Sequence, residues 1–358
     1  MQTQRKELNF NGQNIYPGID GHLKSWQVSV MIENIMFKTF VQPACPKTLH
    51  QYLTKNFPGG TYHSAYEAGF CGFWAHNELI RFGVKSIIAS PSDIPTTGKE
   101  KVQKTDARDS RKIVRSLRNG DLNPIYIPSV QTLHDRSLIR MRSTLVGDLT
   151  KTKQRIKSFL YFHGISLPPQ FLKAGTHWSK QFMKWLKEIT IGPPADISLN
   201  ILLTHAENLR VHLLSVNRQV RILSQNDRYS EWVGLLRSVP GIGLITAMVL
   251  LTELESITRF INNDDLCAYI GIVPSTHDSG TKESRRKITS RGHHVLRKMM
   301  IESAWVAIRV DPALSKSYIE YCKRMEPNKA IVRIAKKLLS RIKYVLTNKK
   351  KYELCKVK

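Results

Sequence analysis

Four acidic residues stand where two strand ends and one helix face can bring them to a single point. Asp20 closes a short apolar run, Ile15 to Asp20, and Glu67 closes a second predicted strand, Thr61 to Glu67. Asp106 and Asp109 fall at i and i+3 of Lys104-Thr105-Asp106-Ala107-Arg108-Asp109, so they share one face of a helix predicted from Thr105 to Leu117. Carboxylates gathered this closely repel one another unless they hold divalent cations. Mg²⁺ prefers hard oxygen ligands of this kind. Two such ions about 4 Å apart clamp both the attacking and the leaving oxygen of a phosphodiester. Acids at strand ends and on helices are also common as solvated or salt-bridged residues. Spacing alone leaves both readings open.

A second constellation runs from Gly271 to Gly280, GIVPSTHDSG, followed by Arg285, Arg286, Lys287, Arg291, His293, His294, Arg297 and Lys298. The composition predicts a loop feeding a basic helical segment. In Ser279-Gly280 the hydroxyl is accessible to a phosphate, which guanidinium groups can hold bidentately. A serine hydroxyl is a weak nucleophile and needs a base, a metal or positive charge beside it. His277 could be that base, or a metal held by the four acids could do the same work. An ordinary polar turn also explains the Ser-Gly pair, and His293 and His294 read as phosphate contacts before catalysts. A third motif is Val239-Pro240-Gly241-Ile242-Gly243-Leu244-Ile245-Thr246-Ala247. A tight glycine hairpin ahead of a helix exposes N–H groups that grip a DNA phosphate without reading bases. It is similar to a helix-hairpin-helix element, and a plain helix–helix turn is the competing reading.

These motifs sit in a strongly basic chain. Its 358 residues carry 55 Lys plus Arg against 28 Asp plus Glu, a formal charge of +27. Such a surplus repels itself unless a polyanion neutralises it, and nucleic acid does so through phosphate contacts and counterion release. An anionic membrane is the competing polyanion, but no apolar run is long enough to span a bilayer. No signal peptide is read ahead of the first strand. The 5 cysteines are scattered without CxxC spacing, which points to reduced thiols in a cytosolic protein and away from a zinc site.

The patterning divides the chain into three segments. Residues 1–128 alternate strand and helix signals, with further strands expected at Trp26 to Ile32, Met36 to Val41 and Val84 to Ala89 and a helix at Phe73 to Phe82. This order predicts a mixed α/β sheet. In residues 129–226, Leu199, Ala206, Leu213 and Val220 occupy one heptad position and Leu202, Leu209, Val216 and Leu223 the other, the seam of a coiled coil. That helix would be roughly 37 Å long at about 1.5 Å per residue. A second long helix, Val130 to His163, carries Leu138, Leu145, Leu149 and Ile156 at 7-4-7 spacing. Its other faces hold Arg136, Arg140, Arg142, Lys151, Lys153, Arg155 and Lys157. Pro168-Pro169 and Pro193-Pro194 punctuate the connection. The seam can close a hairpin within one chain or also bring chains together, and its unbroken pattern favours the second. Residues 227–358 read as mostly helical and end in a basic helix, Lys329 to Leu346, and a Lys349-Lys350-Lys351 tail.

In order, Tyr66-Glu67-Ala68-Gly69-Phe70-Cys71-Gly72-Phe73, Lys104-Thr105-Asp106-Ala107-Arg108-Asp109, Val239-Pro240-Gly241-Ile242-Gly243, Asp278-Ser279-Gly280 and Ser290-Arg291-Gly292-His293 strongly resemble the DEDD transposases of the IS-one-ten insertion-sequence family. The order and approximate spacing match from about residue 15 to about residue 345. The resemblance implies an α/β domain with a RuvC-like, RNase H-type fold over 1–128. It implies a central coiled coil for oligomerisation and nucleic-acid binding over 129–226. Over 227–358 it implies a mostly helical transposase domain carrying the helix-hairpin-helix-like element and the serine.

By the same resemblance Asp20, Glu67, Asp106 and Asp109 bind Mg²⁺, with Mn²⁺ as the alternative ion, and Ser279 attacks a DNA phosphate to form a transient phosphoserine–DNA link. Members of the family are bridge-RNA-guided recombinases. An RNA encoded by the element pairs with donor and target DNA, so base pairing supplies sequence choice. The protein works as a dimer of dimers in the bacterial cytoplasm, at the nucleoid when active. Its active site is composed from the RuvC-like unit of one protomer and the serine unit of another. The expected nucleic-acid contacts are Gly241, Gly243, Arg285, Arg286, Lys287, Arg291, Arg297 and Lys298, and the basic helices would hold RNA by shape and backbone. The sequence departs from the family pattern after Ser279-Gly280, where Thr281-Lys282-Glu283 replaces a small serine-rich stretch. Ser275, Thr276 and Ser284 are therefore register alternatives for the nucleophile. A second reading is a metal-dependent nuclease similar to Holliday-junction resolvases, in which water attacks and no covalent intermediate forms. A third is a scaffold with a decayed site, against which the presence of all four acids counts.

Overall fold

The computed structural model describes residues 9–95, 105–279, 282–289 and 291–354, by backbone alone for 274–279 and 282–287. The chain divides into two compact units, Met1–Ile127 and Pro128–Lys358.

In the first unit, runs of alternating apolar residues form β1 (Asn14–Gly21), β2 (Ser25–Ile32) and β3 (Ile35–Pro43). Then come α1 (Pro46–Asn56), β4 (Thr61–Glu67), α2 (Trp74–Arg81), β5 (Lys85–Ala89) and α3 (Asp106–Asn119). The sheet order is β3-β2-β1-β4-β5. The first three strands pair antiparallel, and β4 pairs parallel with both β1 and β5. This mixed α/β sheet is consistent with a RuvC-like fold. Alternate residues of one strand serve opposite faces. Ile19, Tyr66 and Ile88 join a core with Leu49, Leu53 and Leu79 from α1 and α2, whereas Ala65 and Ala89 join Ile113 of α3.

The second unit begins with two long helices, α4 (Val130–Phe162) and α6 (Pro193–Leu223), with α5 (Lys180–Glu188) between them in sequence. They run antiparallel. Arg142, early in α4, hydrogen-bonds Asn217, late in α6, at 2.8 Å, while Ile156 and Leu160 share a core with Leu199 and Leu203. Of the heptad positions, Leu199, Ala206, Leu209 and Val220 are buried within this chain. Ile197, Ile201, Val211 and Leu214 remain exposed, so the helix carries more apolar surface than one seam uses. Its 31 residues give a rod of about 46 Å, longer than the heptads alone predict. The helix begins at Pro193 because a proline in the first turn lacks only an N–H that has no partner there. Asp196 Oδ1 accepts from the N–H of Ile191 at 2.7 Å and of Gly192 at 3.3 Å.

The rest of the unit comprises α7 (Ser230–Arg237), α8 (Leu244–Leu254), α9 (Asn263–Ile270), β6 (Pro274–Ser279), β7 (Lys282–Ile288), α10 (His294–Val310), α11 (Pro312–Cys322) and α12 (Pro327–Asn348). The basic helix α12 is amphipathic: Ile331, Ile334, Leu338 and Ile342 enter the main core together with Ile139 of α4 and Val220 of α6. The loop expected after Gly271 is instead a β-hairpin, and Arg285, Arg286 and Lys287 lie in β7 rather than on a helix, whereas His294, Arg297 and Lys298 lie on the helix α10. Between Ser275 and Thr289 the only apolar residue is Ile288. No helix face could be buried there, and cross-strand pairing satisfies the backbone instead.

Candidate active site

Strands β1 and β4 run parallel with Ile19 opposite Tyr66, so Asp20 and Glu67 end neighbouring strands at the same edge of the sheet. Helix α3 starts with Asp106, and both Asp106 and Asp109 lie in its first turn, where the helix dipole favours negative charge. Asp20 feels the charges of the other three carboxylates. Burial pushes the Asp20 carboxyl above its ordinary range, and the charges of Asp106, Asp109 and Glu67 push the same way, with His22 opposing them. The Asp20 and Asp109 side chains are 18% and 14% exposed.

His22 was not legible as a site residue. Its Nε2 lies 3.5 Å from Asp20 Oδ2 and 3.2 Å from Asp106 Oδ2. One donor atom each from Asp20, His22 and Asp106 fall within 4.8 Å of one another, the dimensions of a cation site. A histidine two residues past the strand-end acid was the available signal. Lys112 Nζ lies 3.3 Å from Asp109 Oδ1 and orients it from the next turn.

Two features hold this geometry. The buried Tyr66 hydroxyl donates to the Gly72 carbonyl at 2.9 Å and accepts from the His76 N–H at 3.3 Å, which anchors the chain just after Glu67. Gly18, two residues before Asp20, lies directly against α3. A Cβ there would fall 2.5 Å from the Val114 nitrogen and 2.7 Å from the Ser110 carbonyl oxygen. Ser29 Oγ meets Ser110 Oγ at 2.8 Å in the same interface. Gly18→Ala is therefore expected to cost about 1–3 kcal/mol by overpacking. It should also displace Asp106 and Asp109 from Asp20. Parallel melting and cleavage assays should show both losses, and normal activity with only a lower melting temperature would argue against the positioning role.

In the second unit Ser279 is the last residue of β6, opposite Lys282. His277 stands opposite Ser284, and Thr276 opposite Arg285. Lys104, Gly280, Thr281 and Ser290 lie outside the described residues. The base of the hairpin is tightly fixed. A Cβ on Gly292 (φ +117°) would fall 2.5 Å from Gly271 Cα, and one on Gly271 (φ +82°) would fall 2.1 Å from Arg297 Nη2. Arg297 Nη2 donates to the Arg291 carbonyl at 2.6 Å. Arg297, expected to contact nucleic acid, thus holds the protein's own backbone, whereas Arg291 and Lys298 are exposed.

Beside this base stands a group that sequence reasoning missed. Glu253 is 2% exposed. It receives Arg140 at 2.8 and 2.9 Å, with Arg136 at 3.3 Å and His293 Nε2 at 3.2 Å. Arg136 also donates to the Thr252 carbonyl at 3.1 and 2.9 Å. Of the basic residues on the other faces of α4, Arg136 is therefore buried, and Arg140 and Arg142 bond to side chains of the same unit. A lone acid in the apolar run LITAMVLLTEL was the available signal.

Burial pulls the Glu253 carboxyl up, but hydrogen bonds from His293 and Arg140 and the charges of Arg136 and Arg140 outweigh it and lower it to about 2. The folded value lies below the unfolded one, so this stabilisation is complete above about pH 4.5 and fades as the pH falls towards 2; it is on the order of 3 kcal/mol. Glu253→Ala leaves the buried Arg136 guanidinium uncompensated and takes the carboxylate from the more exposed Arg140, and is expected to cost about 3–5 kcal/mol. Urea melts at pH 7 and pH 3 should show the gap between variant and wild type shrinking at the lower pH, and a constant gap would contradict the assignment.

In the hairpin between α7 and α8, Gly241 has φ +83°, and a Cβ there would meet the Ser303 carbonyl oxygen at 2.2 Å. That glycine allows close approach to α10. Gly243 is exposed at the start of α8 and open to a ligand. No helix among the described residues is long and apolar enough to cross a membrane.

An acidic cluster at a sheet end together with a basic helical unit is an arrangement suited to acting on a polyanion such as DNA. The family model described as "Transposase IS116/IS110/IS902 family" matches residues 233–319, a stretch that includes Gly241, Gly243 and Ser279. The IS110 DEDD model, described as "Transposase", matches residues 83–164, which include Asp106 and Asp109. A putative transposase, y4qE, of Sinorhizobium fredii is 28% identical over 256 residues, 70% of this chain and 60% of that protein. The transposase for insertion sequence element IS1533 of Leptospira borgpetersenii is 25% identical over 308 residues, 82% of this chain and 85% of the relative. That for element IS1111A of Coxiella burnetii is 23% identical over 247 residues, 67% and 64%. The aligned region thus spans less than two thirds of the first and third of these relatives. Over these two stretches the chain is thus similar to transposases of the IS110 family.

Proposed function

We propose that the chain is a recombinase that cuts and rejoins donor and target DNA under the guidance of an element-encoded bridge RNA, with Asp20, Glu67, Asp106 and Asp109 as ligands for Mg²⁺ and Ser279 as nucleophile. The convergence of the four carboxylates carries this reading. The donor set fits a hard divalent cation: carboxylate oxygens, with Asp20 raised by burial and then by the charges of its neighbours, and one imidazole between two of them. Bound there, Mg²⁺ or Mn²⁺ would polarise the scissile phosphate and stabilise the charge that develops on it.

The protein's own groups do the rest. The Ser279 oxygen forms a bond to phosphorus while the bond from phosphorus to the leaving deoxyribose oxygen breaks. The serine proton passes to a base, for which His277 is the candidate. Gly243, Arg285, Arg286, Lys287, Arg291 and Lys298 contact phosphates. Lys151 and Arg155, exposed on α4, remain available for RNA. The apolar residues left exposed on α6 support assembly as a dimer of dimers. The protein would act in the cytoplasm, at the nucleoid.

The test is to purify the protein with its bound nucleic acid, sequence the RNA, and look for a phosphoserine–DNA link in the presence of Mg²⁺. A protein that purifies without RNA yet cuts DNA would overturn the guided reading. In a metal titration followed by thermal melting, Mg²⁺ at about 100 times its Kd should add about 2.7 kcal/mol to the wild type and nothing to Asp20→Asn. Equal shifts in the two proteins would remove the quartet as the metal site. The nuclease reading remains the rival, because the acidic cluster lies wholly in the first unit and water could replace the serine.

A further inference from the structure

Towards the α5 end of the long helix pair lies a cleft of about 690 Å³, within the size range of small-ligand sites. Trp178, Met183 and Leu213 supply apolar lining, and Lys153, Lys180 and Arg210 line it as well. The two acids of the lining are already matched: Lys184 lies 3.8 Å from Glu188, and Lys187 lies 2.7 Å from Glu207. Among the described residues no acid pairs with Lys153, Lys180 or Arg210. The Lys153 ammonium sits 5.1 Å from the centre of the Trp178 ring. Burial, and then the neighbouring charges of Arg210 and Lys157, hold that amine below the usual lysine range. An anion would relieve this crowding.

The aromatic wall is held in place. Trp178 has φ +66°, uncommon for a bulky side chain and costly unless its surroundings enforce it. The ring meets Phe182 edge-on at 5.3 Å. The preceding His177 donates from Nε2 to the Phe171 carbonyl at 2.7 Å, so its Nδ1 accepts from Lys157 Nζ at 2.8 Å. That pairing pins the strap on which Trp178 rides.

A flat apolar wall beside uncompensated cations suits a ligand that is both aromatic and anionic. We propose that the cleft binds one unpaired nucleotide of a nucleic acid, its base stacked against Trp178 and its phosphates held by Lys153 and Arg210. A paired base inside a duplex cannot present its face to a protein ring, so the ligand is a flipped or single-stranded nucleotide. The inference rests on the reading of the chain as a nucleic-acid enzyme but uses none of the quartet or hairpin residues.

The test uses the full-length protein and single-stranded oligonucleotides carrying one 5-iodouracil, as DNA and as RNA. They are photo-crosslinked at fixed salt and the adducts mapped by mass spectrometry. An adduct at Trp178 or Met183 is expected, and the oligonucleotide that forms it identifies the source. Trp178→Ala should lower the yield at Met183 about tenfold or more, Trp178→Phe should keep most of it, and Lys153→Ala with Arg210→Ala should lower it. No adduct at either residue with either oligonucleotide, or an undiminished Met183 adduct in Trp178→Ala with Trp178→Phe shown to be folded, would overturn the proposal. Asp20→Asn is expected to crosslink like the wild type. A failure of the catalytic reading would thus leave the nucleotide site standing, and the reverse.

Discussion

Asp20→Asn is expected to lower metal-dependent DNA cleavage by about 10³-fold, while the metal-free variant melts at a higher temperature than the wild type. The two effects share one cause. Asp20 ends β1 between burial and three other carboxylates, and both raise its proton affinity. A raised folded value means that this group favours the folded state at low pH and opposes it as the pH rises through that value. An uncharged isostere removes the opposition. The same repulsion is what a divalent cation would neutralise, and losing one ligand of a metal clamp removes several kcal/mol of transition-state stabilisation, each 1.4 kcal/mol being about tenfold in rate. Cleavage rates in Mg²⁺ and melting curves in a chelator measure the two halves. Activity within tenfold of wild type, or a lower melting temperature in the chelator, would remove Asp20 from the centre of the site.

Ser279→Ala is expected to abolish the covalent protein–DNA adduct while RNA and DNA binding persist. Denaturing gels of protein incubated with end-labelled DNA and Mg²⁺ report it directly. A surviving adduct would move the nucleophile to Ser275, Thr276 or Ser284, and cleavage without any adduct would favour attack by water. Because the acids and the serine belong to different units of the chain, the proposal carries a further consequence. Asp20→Asn and Ser279→Ala chains, inactive alone, should recover activity when co-assembled. If each site draws its acids from one protomer and its serine from another, random pairing restores about one quarter of the sites. No recovery in verified mixed assemblies would place both halves within one chain.

Much of the first unit was legible because its signals are local. β4 spans Thr61–Glu67 as read, and β5 begins one residue later than expected. Buried strands show in the pattern of apolar residues itself. The four candidate acids were legible for a related reason: two of them terminate strands and two share a helix turn, so sequence spacing already limits where they can be. The hairpin after Gly271 was misread because its ladder pairs polar segments whose register no apolar face marks. Glu253 was passed over because its partners Arg136 and Arg140 are more than a hundred residues away along the chain.

The opening constellation of four acids and a serine was thus written in the residues, together with the basic charge that requires a polyanion and the heptads that require a helical partner. Periodicity and composition are properties of short stretches, and they survive in the sequence. Which acids share a cluster of like charge, that His22 stands between two of them, that Gly18 lets α3 approach β1, and that the seam of α6 faces α4 in its own chain were decided only by the fold. Each depends on the distance between residues far apart in sequence, and close packing sets that distance.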